Sequence, residues 1–295
     1  MANLKEVRNR IASVTSTQQI TKAMKMVSAA KLKRATNAIL QLRPYAEKLK
    51  EILANVSASV EEGASPYTVD RKPNNVLIVV IASNRGLAGA FNTNVIKTAN
   101  QLIAGQYSEQ LHAGNVRILA IGKRAQDYYL RRNYQVVGDH NDLFQELNFE
   151  NTSKITELIM EGFANGEYDR VELVYNRFKN AAVQILTTEQ LLPLVPSGDE
   201  VADAADVSVD YIIEPSKEKI VEELIPKAIR VQLYKAVLDS HASEHGARMT
   251  AMDKATDNAG ELLKSLKLSY NQARQAAITT ELTEIVSGAA ALSNG

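Results

Sequence analysis

The chain has 295 residues, 45% of them hydrophobic and 23% charged, which suits one large or two ordinary folded domains and not a disordered tail. It has no cysteine, so disulfides, thiolate metal sites, cysteine nucleophiles and thiol redox switches are excluded. Thirty-four Lys and Arg balance thirty-four Asp and Glu, which argues against a wholly basic nucleic-acid binder, and the longest apolar run, Val76 to Ala82, is far too short to span a membrane.

The balance of charge hides an asymmetry. Residues 1–50 hold eleven Lys or Arg against two acids, Glu6 and Glu47, a surplus of nine that calls for an anionic surface or a solvated face. The basic start runs straight into a helical pattern and reads as mature protein of a bacterial cytoplasm. Steps of three and four from Leu4 pass through Val7, Ile11 and Val14, then Gln18, Thr21, Lys25 and Ser28, then Leu32 and Ala35 on to Val60. Thirteen of these seventeen positions are apolar, and the four polar ones are consecutive. A 3.5-residue repeat held this long predicts a supercoiled helix over 1–62, in which the 57 residues from Leu4 to Val60 reach about 85 Å. Across the polar gap the apolar stripe shifts to Ile20, Met24 and Val27, which predicts a change of supercoil or of partner. Pro44 is expected to bend the helix. Gly63, Pro66 and Pro73 mark a linker over 63–75.

The period then changes. Val76 to Ala82 reads as a buried parallel strand, Ser83 to Gly89 as a loop and Ala90 to Ala104 as a helix. Val116 to Ile121 reads as a strand, followed by Gly122 and a helix to about Arg132. Ile155 to Phe163 carries a helical stripe, and Val171 to Tyr175 and Val183 to Leu186 read as strands. Alternating strands and helices predict an open, Rossmann-like α/β domain over 76–192. Pro193, Pro196, Gly198 and Pro215 mark a second linker, 193–216, with an acidic patch from Asp199 to Asp210. Residues 217–295 are helical again. Heptad steps from Met249 through Met252, Thr256, Ala259, Leu263, Leu266, Tyr270 and Ala273 to Ala277 give a seam of small residues, and the stripe then turns to Ile278, Leu282, Ile285 and Ala289. Two long helices bracketing one α/β domain are expected to pair antiparallel, and such a rod must be solvated or sit inside a partner.

Sites for chemistry are weak. Ser83 to Gly89 lies where α/β folds cradle phosphates, but it lacks both G-x-G-x-x-G and a Walker lysine. His241 and His245 share a helix face, yet a packing pair is the better reading than a metal site. Glu281 and Glu284, three apart, read as solvated acids or partners for cations. No catalytic, cofactor or metal site emerges. The residues leave open a transmission protein, a nucleotide-binding α/β enzyme with helical oligomerisation arms, and a coiled-coil scaffold on nucleic acid.

Three long segments narrow this. Ile11 to Val14 with Thr17 to Ala29, then Ser240 to Asn258, then Tyr270 to Ala290 with Ile278, Thr279, Glu281, Glu284, Gly288 and Ala289, resemble the gamma subunit of F-type ATP synthase, as does the loop Arg85-Gly86-Leu87 with Gly89, Phe91 and Asn92. Asn84 stands where that family commonly has Asp, and Ala88 where many members have Cys. The cysteine insert of chloroplast members is absent, which excludes thiol control of that kind.

The resemblance implies a non-catalytic rotor without cofactors, one copy per complex. It would turn inside a hexamer of alpha and beta subunits and carry torque from a membrane ring of c subunits. Its α/β domain would face epsilon and that ring, at the cytoplasmic face of a bacterial membrane, and no nucleic acid would be bound. It further implies that Met24 and Lys25 face acidic loops of beta, that Arg85 reaches the same region, and that Arg274 and Gln275 hydrogen-bond a beta loop. Arg248, Thr279 and Glu281 would take part in coupling.

Overall fold

The computed structural model describes residues 4–57, 65–194 and 217–293. The expected helix end at 58–62, the start of the first linker and the acidic patch at 199–210 lie outside the described residues. The chain divides into two compact units, residues 29–248 and residues 1–28 with 249–295.

The larger unit is built on a five-stranded sheet. Strand β1 (Val76–Ile81) is followed by helix α2 (Phe91–Gln106), the short α3 (Ser108–His112), β2 (Val116–Ile121) and α4 (Lys123–Leu130); α1 is the N-terminal helix, Leu4–Ser57. Then come β3 (Gln135–Val136), a 3-10 turn at Asn141–Phe144, α5 (Phe149–Ala164), β4 (Arg170–Phe178) and β5 (Gln184–Leu192). The strand order is β3-β2-β1-β4-β5. β1 pairs parallel with both β2 and β4, so it is covered on every side, which is why its sequence is apolar throughout. β5 runs antiparallel to β4, so the sheet is mixed. Only residues 179–183 join those two strands, too few for a parallel crossover.

Alternation along β1 divides the core. Val76, Ile78 and Val80 point to a layer holding Val95 and Ala99 of α2 and Ala125 and Tyr129 of α4. Leu77, Val79 and Ile81 point to the other layer, with Ile155, Ile159 and Phe163 of α5. The C-terminal helix α6 (Lys217–Ser293) passes through Pro226 and enters this second layer with Ile225, Ile229, Leu233 and Val237. Its first part is thus a sheet-covering helix and not only a coiled-coil arm. Within the same unit Ala35 and Ile39 of α1 pack on Ala242 and Leu238 of α6, an antiparallel match.

The smaller unit is an antiparallel helix pair. Arg8 Nη2 donates to the Tyr270 hydroxyl at 3.0 Å, Thr256 Oγ1 to Thr21 Oγ1 at 2.8 Å, and Lys25 pairs with Asp253. The expected seam of α6 holds: Met252, Ala259 and Leu263 are buried, and Met249, Thr256, Leu266, Tyr270, Ala273 and Ala277 are half-buried. The expected shift of the α1 seam does not occur. Thr21 and Ser28 are buried and Gln18 and Lys25 half-buried, so the polar residues stay between the helices. Ile20 and Val27 are instead 57% and 58% exposed. Polar pairing explains this: Thr256 bonds Thr21, Thr21 Oγ1 donates to the Gln18 carbonyl at 3.0 Å, and Gln18 Nε2 reaches the Thr256 carbonyl at 3.4 Å. A seam that satisfies its own hydrogen bonds has no need to rotate.

Candidate functional site

In open α/β sheets a ligand sits beyond the carboxyl ends of the strands, where crossovers switch from one face to the other. Here α2 and α4 cross on one face and α5 on the other, so that point lies between β1 and β4. The loop Ser83–Gly89 leaves β1 there, and its polar groups are engaged within the chain. The Ser83 amide donates to Asn92 Oδ1 at 2.9 Å, and Asn84 Nδ2 donates to the Asn141 carbonyl at 2.7 Å. Gly122, at φ 109°, closes the neighbouring turn so tightly that a Cβ would lie 2.3 Å from the Ala82 carbonyl oxygen. Helix α6 fills the crevice. Ser240 Oγ donates to the Ile81 carbonyl at 3.3 Å and Ser243 Oγ to the Asn176 carbonyl at 2.9 Å, while a Cβ on Gly246 would meet the Ala181 backbone at 3.2 Å. The place where a nucleotide-binding enzyme would hold its ligand is occupied by the protein itself.

Arg248 completes this plug. Its guanidinium donates to the carbonyls of Gly86 and, at 3.3 Å, Arg85, and to Glu244 Oε1 at 2.6 Å. Both charged residues are buried. Burial raises the Glu244 pKa, and the bond and charge of Arg248 oppose that rise. Arg85 is exposed beyond the bond its carbonyl accepts. Two helical turns before Arg248, His241 stacks on Phe144 with ring centroids 5.7 Å apart, and its Nε2 lies 3.1 Å from Nε2 of His245. Burial lowers both pKa values, to about 4 for His241, with Lys31 adding, and about 3 for His245, with His241, Lys31 and Arg248 adding. Both imidazoles are neutral near pH 7, and one must donate to the other. Among the described residues no three metal-ligating side chains cluster. The histidines are a packing pair, surrounded by cations.

The other expected site residues lie in the helix pair. Met24 is half-buried, and Lys25 is bound to Asp253. That corrects the expectation of a seam turning outward there: the outward apolar groups are Ile20, Met26 and Val27. Arg274, Gln275, Thr279 and Glu281 are all exposed. Arg274 stands 21 residues along α6 from Asp253, about 30 Å, so the structure does not join Arg274 and Lys25 in one site. From Ile278 onward every residue with a described side chain is exposed, including Leu282, Ile285, Val286 and Leu292. On that stretch no face differs from another in burial, so the expected turn of the stripe is left untested. Sequence reading missed the Glu244–Arg248 pair; the i, i+4 spacing of opposite charges was its signal.

A family model described as ATP synthase matches residues 3–292. A curated ATP synthase gamma chain of Cytophaga hutchinsonii is 55% identical over 295 residues, covering all of both chains. The chain belongs to the ATP synthase gamma-chain family. Another gamma chain, from Flavobacterium johnsoniae, is 58% identical over 99% of each chain. Among solved structures, a central stalk and c-ring structure of Tetrahymena thermophila mitochondrial ATP synthase matches with a TM-score of 0.57 and 27% identity, covering 80% of this chain and 99% of that one. A rotor structure of the Euglena gracilis mitochondrial enzyme has a TM-score of 0.65 at 23% identity, covering 93% and 98%, and supports the fold. Gamma chains are non-catalytic central-stalk subunits, in keeping with a crevice filled by Arg248 and its neighbours. Among the described residues no helix is long and apolar enough to cross a membrane.

Proposed function

We propose that the chain carries torque between a membrane ring of c subunits and a catalytic hexamer of alpha and beta subunits, with the helix pair inside the hexamer and the α/β unit toward epsilon and the ring. The complex lies at the cytoplasmic face of a bacterial membrane, where the chain is peripheral. The observation that carries this reading is the bare end of α6. Ile278, Leu282 and Ile285 form an apolar stripe that no described residue covers, and the exposed Ile20, Met26 and Val27 do the same on α1. Apolar surface of this kind marks a protein interface. Arg274 and Gln275 lie just before the bare segment, with exposed side chains, and are the residues assigned to a beta loop. Met24 borders the outward groups of α1 and faces an acidic loop of beta, with Lys25 held in place by Asp253.

Torque in such a subunit comes from different contact free energies with different conformers of beta, so no single exposed charge dominates. Each exposed ion pair is worth at most about 1 kcal/mol. Replacing Arg274 by Ala is therefore expected to change coupling little, whereas Met24→Lys sets a second cation beside Lys25 and is expected to lower proton pumping more than ATP hydrolysis. Reconstituted complex in vesicles checks this, with pumping and hydrolysis measured on the same sample. Unchanged pumping per ATP for Met24→Lys rejects the assignment of Met24.

A further inference from the structure

A long groove runs between α2 and α4, on the sheet face opposite to α5, with a volume of about 740 Å³. One wall is a single stripe of α2 from Asn92 to Ala104, about 18 Å long. The other is a stripe of α4 and the residues after it, Arg124, Asp127, Tyr128, Arg131 and Arg132. Its charge is one-sided. Lys97, Arg124 and Arg131 are exposed and form no ion pair with any described residue, and Arg132 lies over the Tyr128 ring, 3.7 Å from its centroid. One carboxylate, Asp127, lines the groove. Its floor is apolar and aromatic, through Ile96 and Tyr128. At its mouth Leu87 is 67% exposed and held at φ 64°, on the loop whose carbonyls Arg248 grips.

Polar groups in the floor add direction. Asn100 Nδ2 donates to the Tyr128 hydroxyl at 2.7 Å, which leaves the tyrosine proton to donate to an acceptor in the groove. Asn100 Oδ1 is buried and has no partner. Arg124 and Arg131 are seven residues apart, two helical turns, so they address two anions about 10 Å apart. A compact anion meets one of them. A helix with acids at i and i+7 and an apolar face meets both and covers Ile96 and Leu87 as well.

We propose that the groove is a docking site for an acidic amphipathic helix of another protein, held by Arg124, Arg131 and Lys97 and seated on Ile96, Tyr128 and Leu87. This does not rest on the torque role of the helix pair. A photo-crosslinking residue in place of Gln101, in the full chain within its assembled complex in native membranes, tests it. The expected product joins Gln101's position to a segment of net negative charge with apolar residues at helical spacing. Arg124→Glu with Arg131→Glu is expected to lower its yield about tenfold or more, and the paired change to Lys to leave it within about twofold. Circular dichroism of the purified chain checks that the variants fold, and Arg131→Gln alone, expected to lose about threefold, replaces the double variant if it does not. No protein product, a product with lipid or nucleic acid, a neutral or basic segment, or a yield indifferent to charge reversal overturns the proposal.

Discussion

Removing Arg248 strands two partners, the carboxylate of Glu244 and the carbonyl of Gly86, and leaves the Arg85 carbonyl with only its bond from the Ser83 hydroxyl at 2.7 Å. A buried charge left without its partner costs about 3–5 kcal/mol, so Arg248→Ala is expected to lower the unfolding free energy of the larger unit, measured in urea, by that amount. Arg248→Lys, which keeps the charge but not the fork, is expected to lose less. Protease cutting at Leu87 is expected to rise with the first variant and barely with the second. The buried histidines make a pH prediction. Their folded pKa values lie below the unfolded value, so the unfolded chain binds protons first as pH falls. Their contribution is full above about 6.5 and is lost as pH falls toward about 4 for His241 and about 3 for His245. Glu244 opposes this, because its raised pKa favours the folded state in acid until it ionises. Replacing His245 by Gln is expected to remove roughly half of the stability loss between pH 6.5 and 4, measured by urea unfolding at each pH. At this scale the sequence placed the candidate residues but not their partners. Lys25 reads as an outward cation because nothing near it in sequence is acidic, and Asp253, which binds it, is 228 positions away.

The elements were far more legible than the contacts. Position by position, the heptad series of α1 from Leu4 to Leu53 is buried or half-buried, and that of α6 from Met249 to Ala277 likewise. Period is a local property, so a single chain reveals it. The four polar seam positions misled because apolar periodicity says nothing of polar residues that satisfy each other across a seam. That pairing predicts a coupling. Thr21→Val alone is expected to cost about 1 kcal/mol, since it breaks the hydroxyl contact across the seam and leaves Thr256 with only the Met252 carbonyl, and the double change with Thr256→Val to cost less than the sum of the two. Chemical unfolding of the four variants measures it. The two-residue β3 and the five-residue α3 carry too little pattern to be seen, and strand direction at β5 is set by a short connection more than by composition. The join of α6 to the sheet is likewise non-local: Ile225 to Val237 look like any helical stripe until Leu77 and Val79 are known to face them. Shortening α6 after Ala277 is expected to leave the helix pair's own unfolding free energy within about 0.5 kcal/mol, because the described side chains from Ile278 onward are exposed, while lowering the heat stability of the assembled complex.

For the whole molecule, membership of the gamma-chain family and a plugged crevice agree that no reaction is performed here. What the chain offers is stiffness and surface: a paired seam, a bare apolar helix end and an α/β unit clamped by the start of α6. Because the chain has no cysteine, one introduced at the exposed Lys179 gives a unique handle. A gold bead attached there, with the assembled alpha, beta and gamma complex fixed to glass by its hexamer, allows the chain to be watched while ATP is hydrolysed. Stepwise rotation in one direction is the predicted result, and hydrolysis at full rate with the bead still or wandering in both directions contradicts the account.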